Sequence, residues 1–305
     1  MNDRPIGVFD SGLGGLTVLK EIIGLLPGES VVYFGDCGRA PYGIKSPETI
    51  RRYTFQNTRF FIETGVKLLV IACNTSSAHA YGPVSAALDF PVVEVIRPGS
   101  AAAVRATKNK KIGVIGTAAT ITSRVYERVI AEMDPSIEVY SKACPLFVPI
   151  AEEGPDWWAH EAARIIAGEY LADLRETGID CLVLGCTHYP LLEEVIRGAA
   201  GGGITLISSA RAVAAEVLGA LDSRGLRAAA EPVKNTGPVE STGPVKNTGP
   251  VKNTGPADNA APPKVSLYTS DSPERFRTLC GSILGGTDGA DVYTLDIEKY
   301  ESRLP

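Results

Sequence analysis

The 305-residue chain has little of what marks a nucleic-acid or membrane protein. Lys and Arg number 30 against 35 Asp and Glu, for a formal net charge of −5, and no basic block breaks that balance. Such a surface offers no electrostatic footprint for a polyanion or an anionic bilayer. No apolar run approaches the roughly 20 residues that a membrane-spanning helix needs. The opening "MNDRPIGVFDSG" has no charged region leading into an apolar stretch, as an export signal would. These absences point to a cytoplasmic protein with neither nucleic acid nor membrane as a partner. Cysteine is sparse as well: Cys37, Cys73, Cys144, Cys181, Cys186 and Cys280 are too scattered for a disulfide framework, so free thiols are expected. Histidine is scarcer still, at three residues.

What is present is an ordinary globular composition, 44% hydrophobic and 21% charged, long enough to bury a substantial core and to divide into two lobes. Short apolar runs recur: "IGVFD", "SVVYFGD", "KLLVIAC", "PVVEVI", "KIGVIGT", "IEVYSK", "CLVLGC", "ITLISS" and "VSLYTS". They read as strands, several of them continuous enough to be buried on both faces of a parallel sheet. Between them lie amphipathic segments. Leu16, Leu19, Ile23 and Leu26 make one helical face, stopped by Pro27-Gly28, and further helices are expected to start near Pro47, Thr120, Asp156, Pro190, Ala210 and Ser272. The alternation predicts a doubly wound α/β fold of two similar lobes, with mostly parallel sheets facing each other across a central cleft. The expected division is 1–97 for the first part of lobe 1, 98–207 for lobe 2, and 208–305 for a return to lobe 1. That last part contains, at about 231–261, a six-residue repeat, "PVKNTGPVESTGPVKNTGPVKNTGP", too poor in apolar residues to form a core.

Two strand ends stand out. "VIACNT" and "VLGCTHYP" each put a cysteine, Cys73 and Cys186, where a strand gives way to a helix. In open α/β sheets that edge carries the chemistry. After Cys73, the residues Asn74, Thr75, Ser76 and Ser77 are candidate helix caps, an environment expected to lower a thiol pKa and favour the thiolate. His188, two residues from Cys186, suits general acid-base work, whereas His79 and His160 read as structural. A metal site is not predicted, because neither a CxxC pair nor a helical HxxxH is present. "VFDSGLGGL" brings Asp10 and Ser11 with three glycines, but it lacks the spacing of a dinucleotide or phosphate loop. Its Asp10 can hold an ammonium group or move a proton. "GDCGRAPYG" is a second glycine-rich loop, and "CPLFVPIAEEG" adds the paired acids Glu152 and Glu153.

In series, "GVFDSGLGGLTVL", "YFGD" with "PYG", "IACNTSSA", "CPLFVPIAEEG" and "GCTHYPLL" resemble the glutamate racemase branch of the aspartate/glutamate racemases. The likeness runs from about Pro5 to Ser208 and returns in "YTSDSPERF". The resemblance implies a cofactor-independent racemase that supplies D-glutamate for peptidoglycan. It makes Cys73 and Cys186 the acid/base thiols, Cys73 acting on the D-isomer and Cys186 on the L-isomer, with Asp10 and His188 assisting and Glu152 orienting His188. Substrate-binding pairs would be Asp10 with Ser11, Tyr42 with Gly43, Asn74 with Thr75, and Thr187 with His188. The substrate would be L- or D-glutamate, and a homodimer is the one assembly the reading leaves open. Two features depart from the family pattern: the repeat from Pro232, and Ser208 in "LISSA", where an acid is expected. Ser208 can still cap the helix that follows.

Two cysteines suit such chemistry. Inverting an α-carbon means taking its proton from one face and returning one to the other, so one thiol must be ionised and its opposite protonated. A related racemase or decarboxylase acting on aspartate or another acidic amino acid, and a ligand-binding module without catalysis, are the competing readings.

Overall fold

The computed structural model describes residues 2–228, 264–285 and 291–304; the hexapeptide repeat and the segment at about 231–261 lie outside the described residues. The first lobe opens with β1 (Ile6–Asp10), α1 (Leu16–Leu25), β2 (Val31–Gly35), α2 (Pro47–Thr64), β3 (Leu68–Ile71), α3 (Asn74–Ala87) and β4 (Val92–Glu94). Helix α4 (Ile96–Ala106) leads to β5 (Lys111–Gly116), α5 (Ala118–Thr122), α6 (Val125–Met133), β6 (Glu138–Ala143), α7 (Phe147–Glu152), α8 (Pro155–Trp158), α9 (Glu161–Glu176) and β7 (Cys181–Gly185). There follow α10 (Glu193–Ala200), β8 (Thr205–Ser208), α11 (Ser209–Ser223), β9 (Val265–Thr269), α12 (Pro273–Leu284) and β10 (Asp291–Thr294).

Every described strand pair is parallel. One sheet has the order β10-β9-β2-β1-β3-β4, the other β6-β5-β7-β8. The order β2-β1-β3-β4 is thus repeated as β6-β5-β7-β8, and β9 and β10 extend the first sheet beyond β2. In each lobe the chain steps to one side of its first strand and then returns to the other. This opens a crevice at the carboxyl ends of β1 and β3, and an equivalent one at β5 and β7.

Local chemistry accounts for the elements. In α2 the Ser46 side chain accepts from the Thr49 N–H at 3.3 Å, Pro47 takes the first position, and Gly65 closes the helix in the left-handed region at φ 73°. Strands β1, β2 and β7 are buried at every position, as continuous apolar runs require. One apolar core passes from Ile6 and Val8 in the first sheet, through Val213 and Val217 of α11, to Ile112, Val114 and Val183 in the second. At the amino ends of β2 and β3, fully buried Lys67 gives Nζ to Glu29 Oε2 at 2.5 Å. Glu29 Oε1 in turn accepts the Ala228 N–H at 2.9 Å.

Some expected boundaries shift. The helix after β3 is capped by Cys73 itself, whose sulfur accepts from the Ser76 N–H, and Asn74 to Ser77 form its first turn. The segment after Asp156 is split, with His160 capping α9, and Pro190 sits in a 3-10 turn before α10. Strand β10 carries no apolar run to predict it; it is a four-residue strand at the sheet edge, paired with β9 alone. Among the described residues no helix is long and apolar enough to cross a membrane.

Candidate active site

The two crevices meet at one small cavity. From the first lobe it is lined by Ser11 after β1, by Tyr42 and Gly43, and by Cys73, Asn74 and Thr75 after β3. From the second come Thr117 after β5, Val148 and Glu152 of α7, and Cys186, Thr187 and His188 after β7. A wider groove opens elsewhere between the end of α3, β4 and α11, but it contains neither thiol.

Hydrogen bonds tie the lobes together around the cavity. Thr187 Oγ1 donates to Asp10 Oδ1 at 3.2 Å, and Thr17 Oγ1 donates to the Thr187 carbonyl at 3.1 Å. Thr75 Oγ1 lies 2.9 Å from Thr117 Oγ1 and 3.1 Å from Thr120 Oγ1. Asn74 Nδ2 donates to the Tyr126 hydroxyl at 2.8 Å, and His79 Nε2 lies 3.1 Å from the Ala119 carbonyl oxygen. The last contact gives His79 the structural role expected of it, and His160 caps α9 through Nδ1.

On the Cys186 side the polar groups form a relay. Cys186 Sγ lies 3.7 Å from His188 Nδ1, and His188 Nε2 lies 3.0 Å from Glu152 Oε1. Burial works against a charge on His188, but the Cys186 sulfur and the Glu152 carboxylate outweigh it and hold the imidazole well above its usual pKa. Glu152 shows the same competition: burial raises its pKa, while His188 and the more distant Arg275 hold it below the ordinary carboxylate range. The surroundings of His188 thus favour its charged form.

The Cys73 side differs. The sulfur is capped by Ser76 N–H and approaches Ser11 Oγ, each at 3.5 Å. Burial, and then the negative charge of Asp10, push the thiol up to about 11, and the bonds from Ser11 and Ser76 offset only part of this. The expectation of a lowered pKa at this helix terminus is thus reversed. At 4% exposure the loss of hydration outweighs the helix dipole, which is worth about a kcal/mol near a helix terminus. Asp10, fully buried, is itself raised by desolvation, against the pull of His188 and the N–H groups of Gly15 and Gly12.

Tyr42 enters the site through a buried network. Its hydroxyl donates to Asp36 Oδ2 and accepts from Asn57 Nδ2 at 3.0 Å, while Asp36 also takes Arg39 Nε at 2.8 Å and Ser270 Oγ at 2.7 Å. The hydroxyl is thereby committed to groups outside the cavity lining. Gly43 is required by close approach, since a Cβ there would sit 2.4 Å from Thr117 Cβ. Ser208 caps α11, accepting from the Ala210 N–H at 3.4 Å. Glu153, the second of the paired acids, does not line the cavity.

Residues 6–217 match the model of the Asp/Glu/Hydantoin racemase family. The chain belongs to that family. Glutamate racemase of Geobacter metallireducens is 51% identical over 218 residues, 70% of this chain and 80% of the relative. That of Chlorobaculum tepidum is 50% identical over 226 residues, 74% and 82% of the two chains. Among solved structures, glutamate racemase from Bacillus anthracis superposes with a TM-score of 0.83 at 36% identity, over 97% of this chain and 98% of that one. The enzyme from Francisella tularensis, solved with D-glutamate, gives 0.82 at 33% identity, over 98% and 100%.

For this racemase-family chain, the structure gathers every site residue expected from sequence around one cavity, with Asp10 touching it through Thr187. It adds Thr117 and Val148 to the lining, and Thr120 and Tyr126 as partners of Thr75 and Asn74 behind it, all of which sequence reasoning passed over. One signal could have found Thr117. It follows β5 where Ser11 follows β1, so aligning the repeated lobes would have singled it out.

Proposed function

We propose that this chain interconverts L- and D-glutamate by a two-base reaction at Cα, with Cys73 and Cys186 as the two acid/base groups. The observation that carries this is that both thiols, each from the switch point of its own lobe, line one small cavity. A racemase must present a proton acceptor to one face of the α-carbon and a donor to the other. The raised pKa of Cys73 suits a thiol held protonated until needed. On the other side, the His188 imidazolium lies where it can exchange a proton with Cys186. Glu152 keeps that imidazole charged and oriented, and Asp10, with Ser11 and Thr187, shapes the space between the two sides.

The chemistry needs no cofactor in this reading. Removing a Cα proton develops negative charge toward the neighbouring carboxylate, and fixed donors must meet it. Asn74 and Thr75, in the first turn of α3, and Thr187 with His188 after β7 can present such donors, as can the backbone at Gly43. The close relatives named as glutamate racemases support glutamate over aspartate as substrate. A cytoplasmic enzyme supplying D-glutamate for peptidoglycan is the role this activity would serve.

The test follows solvent deuterium into the α-position of L- and D-glutamate while optical rotation is recorded. Wild type is expected to exchange and racemise both isomers. Cys73→Ala and Cys186→Ala are each expected to lose interconversion by a factor of about 10² to 10⁴, the usual share of a positioned acid or base. Wild type that neither exchanges nor racemises glutamate would refute the reading, and turnover of aspartate in preference would reassign the substrate.

A further inference from the structure

Tyr126 lines no part of the cavity, yet it touches both of the turns that carry the thiols. It stands in the first turn of α6 in the second lobe and is 1% exposed. Its hydroxyl accepts the Asn74 side-chain N–H at 2.8 Å, across the lobe boundary, and Asn74 directly follows Cys73. Its ring packs against the backbone at Gly185, which directly precedes Cys186: a Cβ placed there would lie 3.2 Å from Tyr126 Cε2 and 2.6 Å from the Ile115 carbonyl oxygen.

A rigid aromatic side chain in this position works as a spacer. The ring has two torsions and little freedom once buried. The hydroxyl fixes which way the Asn74 amide points, because a buried amide N–H without an acceptor is costly and would turn to find one. One of the two Asn74 Nδ2 protons is thereby held by Tyr126, which leaves the second N–H, the side-chain carbonyl oxygen and the backbone of the α3 first turn for the cavity. Besides the threonine bonds that cross the lobe boundary, a single side chain belonging to neither thiol-bearing turn thus touches both.

We propose that Tyr126 is a positioning residue that sets the two thiol-bearing turns relative to one another, with its hydroxyl holding Asn74 and its ring seated against Gly185. This role rests on the reading of the cavity as a glutamate racemase site. Tyr126 itself exchanges no proton with substrate.

The experiment is a double-mutant cycle on racemisation kinetics, measured in both directions, with Tyr126→Phe, Asn74→Ala and the combined variant. The phenyl ring preserves the packing, and thermal melting of each variant confirms that it is folded at the assay temperature. Tyr126→Phe is expected to raise KM by about 3- to 10-fold, the span of one buried hydrogen bond, with kcat little changed, because the amide it releases acts on substrate binding. In the Asn74→Ala background the same substitution is expected to change KM by less than about 2-fold, since coupled sites are non-additive. Tyr126→Leu, which removes the ring as well, is expected to lower kcat for both isomers. A merely structural tyrosine would lower the melting temperature and leave the KM effect additive. Full additivity, or an unchanged KM in Tyr126→Phe, overturns the proposal while wild-type turnover leaves the racemase reading standing. Absence of wild-type turnover overturns both.

Discussion

Replacing Glu152 by Gln tests the relay on the Cys186 side most directly. The substitution keeps the shape of the side chain and removes its charge. Glu152 Oε1 lies 3.0 Å from His188 Nε2, with the histidine side chain 5% exposed and the glutamate 26%. A hydrogen bond to a charged partner in such a setting is worth roughly 1.5–3 kcal/mol, and one pKa unit corresponds to about 1.36 kcal/mol. Loss of the carboxylate is therefore expected to lower the His188 pKa from its raised value.

The sign follows from which species is stabilised. The carboxylate favours the imidazolium, so without it the imidazolium gives up its proton at lower pH. The alkaline limb of kcat/KM that belongs to this group should move to lower pH. Stability carries the same signature. The raised pKa of His188 means its contribution is complete below about 6.5, the ordinary value, and is lost as pH rises through the folded value. The lowered pKa of Glu152 gives a contribution present above about 4.3 and lost as pH falls through the folded value. Glu152→Gln should thus show its largest loss of melting temperature between about pH 4.3 and 6.5, and smaller losses at more acid pH and as pH rises toward the folded His188 value. The assay is the pH profile of racemisation from each isomer, with melting curves at the same pH values. Mirror-image substrates have an equilibrium constant of one, so kcat/KM must change equally in both directions, which checks the data internally. An unmoved limb, or one displaced to higher pH, would refute the argument.

Two further perturbations address the other side of the cavity. With its thiol near 11, Cys73 should be only about 0.1% ionised at pH 8, against roughly a quarter for an ordinary cysteine. Iodoacetamide should therefore label it at least ~100-fold more slowly than an unhindered thiol, as peptide mapping would show. Asp10→Asn removes a charge that raises this pKa and should speed the labelling, so slower labelling in that variant would contradict the assigned cause. Gly43→Ala places a Cβ against Thr117 and should cost about 1–3 kcal/mol by overpacking. The loss should appear in melting temperature and kcat/KM, and Thr117→Gly in the same chain should recover part of it.

Much of the fold was legible because its signals are local. Nine runs became nine strands; the central ones, β1, β2, β3 and β7, are buried at every position and so are apolar nearly throughout, whereas β6 and β8 were legible despite partial exposure. Ser46-Pro47 and Ser272-Pro273 announced helices through capping chemistry that spans only a few residues. Strand β10 went unread because a short edge strand, half exposed and paired on one side, leaves no apolar run.

The site divides along the same line. Cys73 and Cys186 could be picked out from sequence because a strand end, a polar turn and a helix start are all contiguous features. Sequence alone also implied that the two lobes repeat one plan. Only the tertiary structure decided that the two thiols line a single cavity, and that Thr117 and Tyr126 belong with residues more than 40 positions away. It also reversed the expected direction of the Cys73 pKa. Burial and the charge on Asp10 come from chain brought in across the fold, and desolvation depends on what surrounds a group in space rather than on what precedes it in the chain.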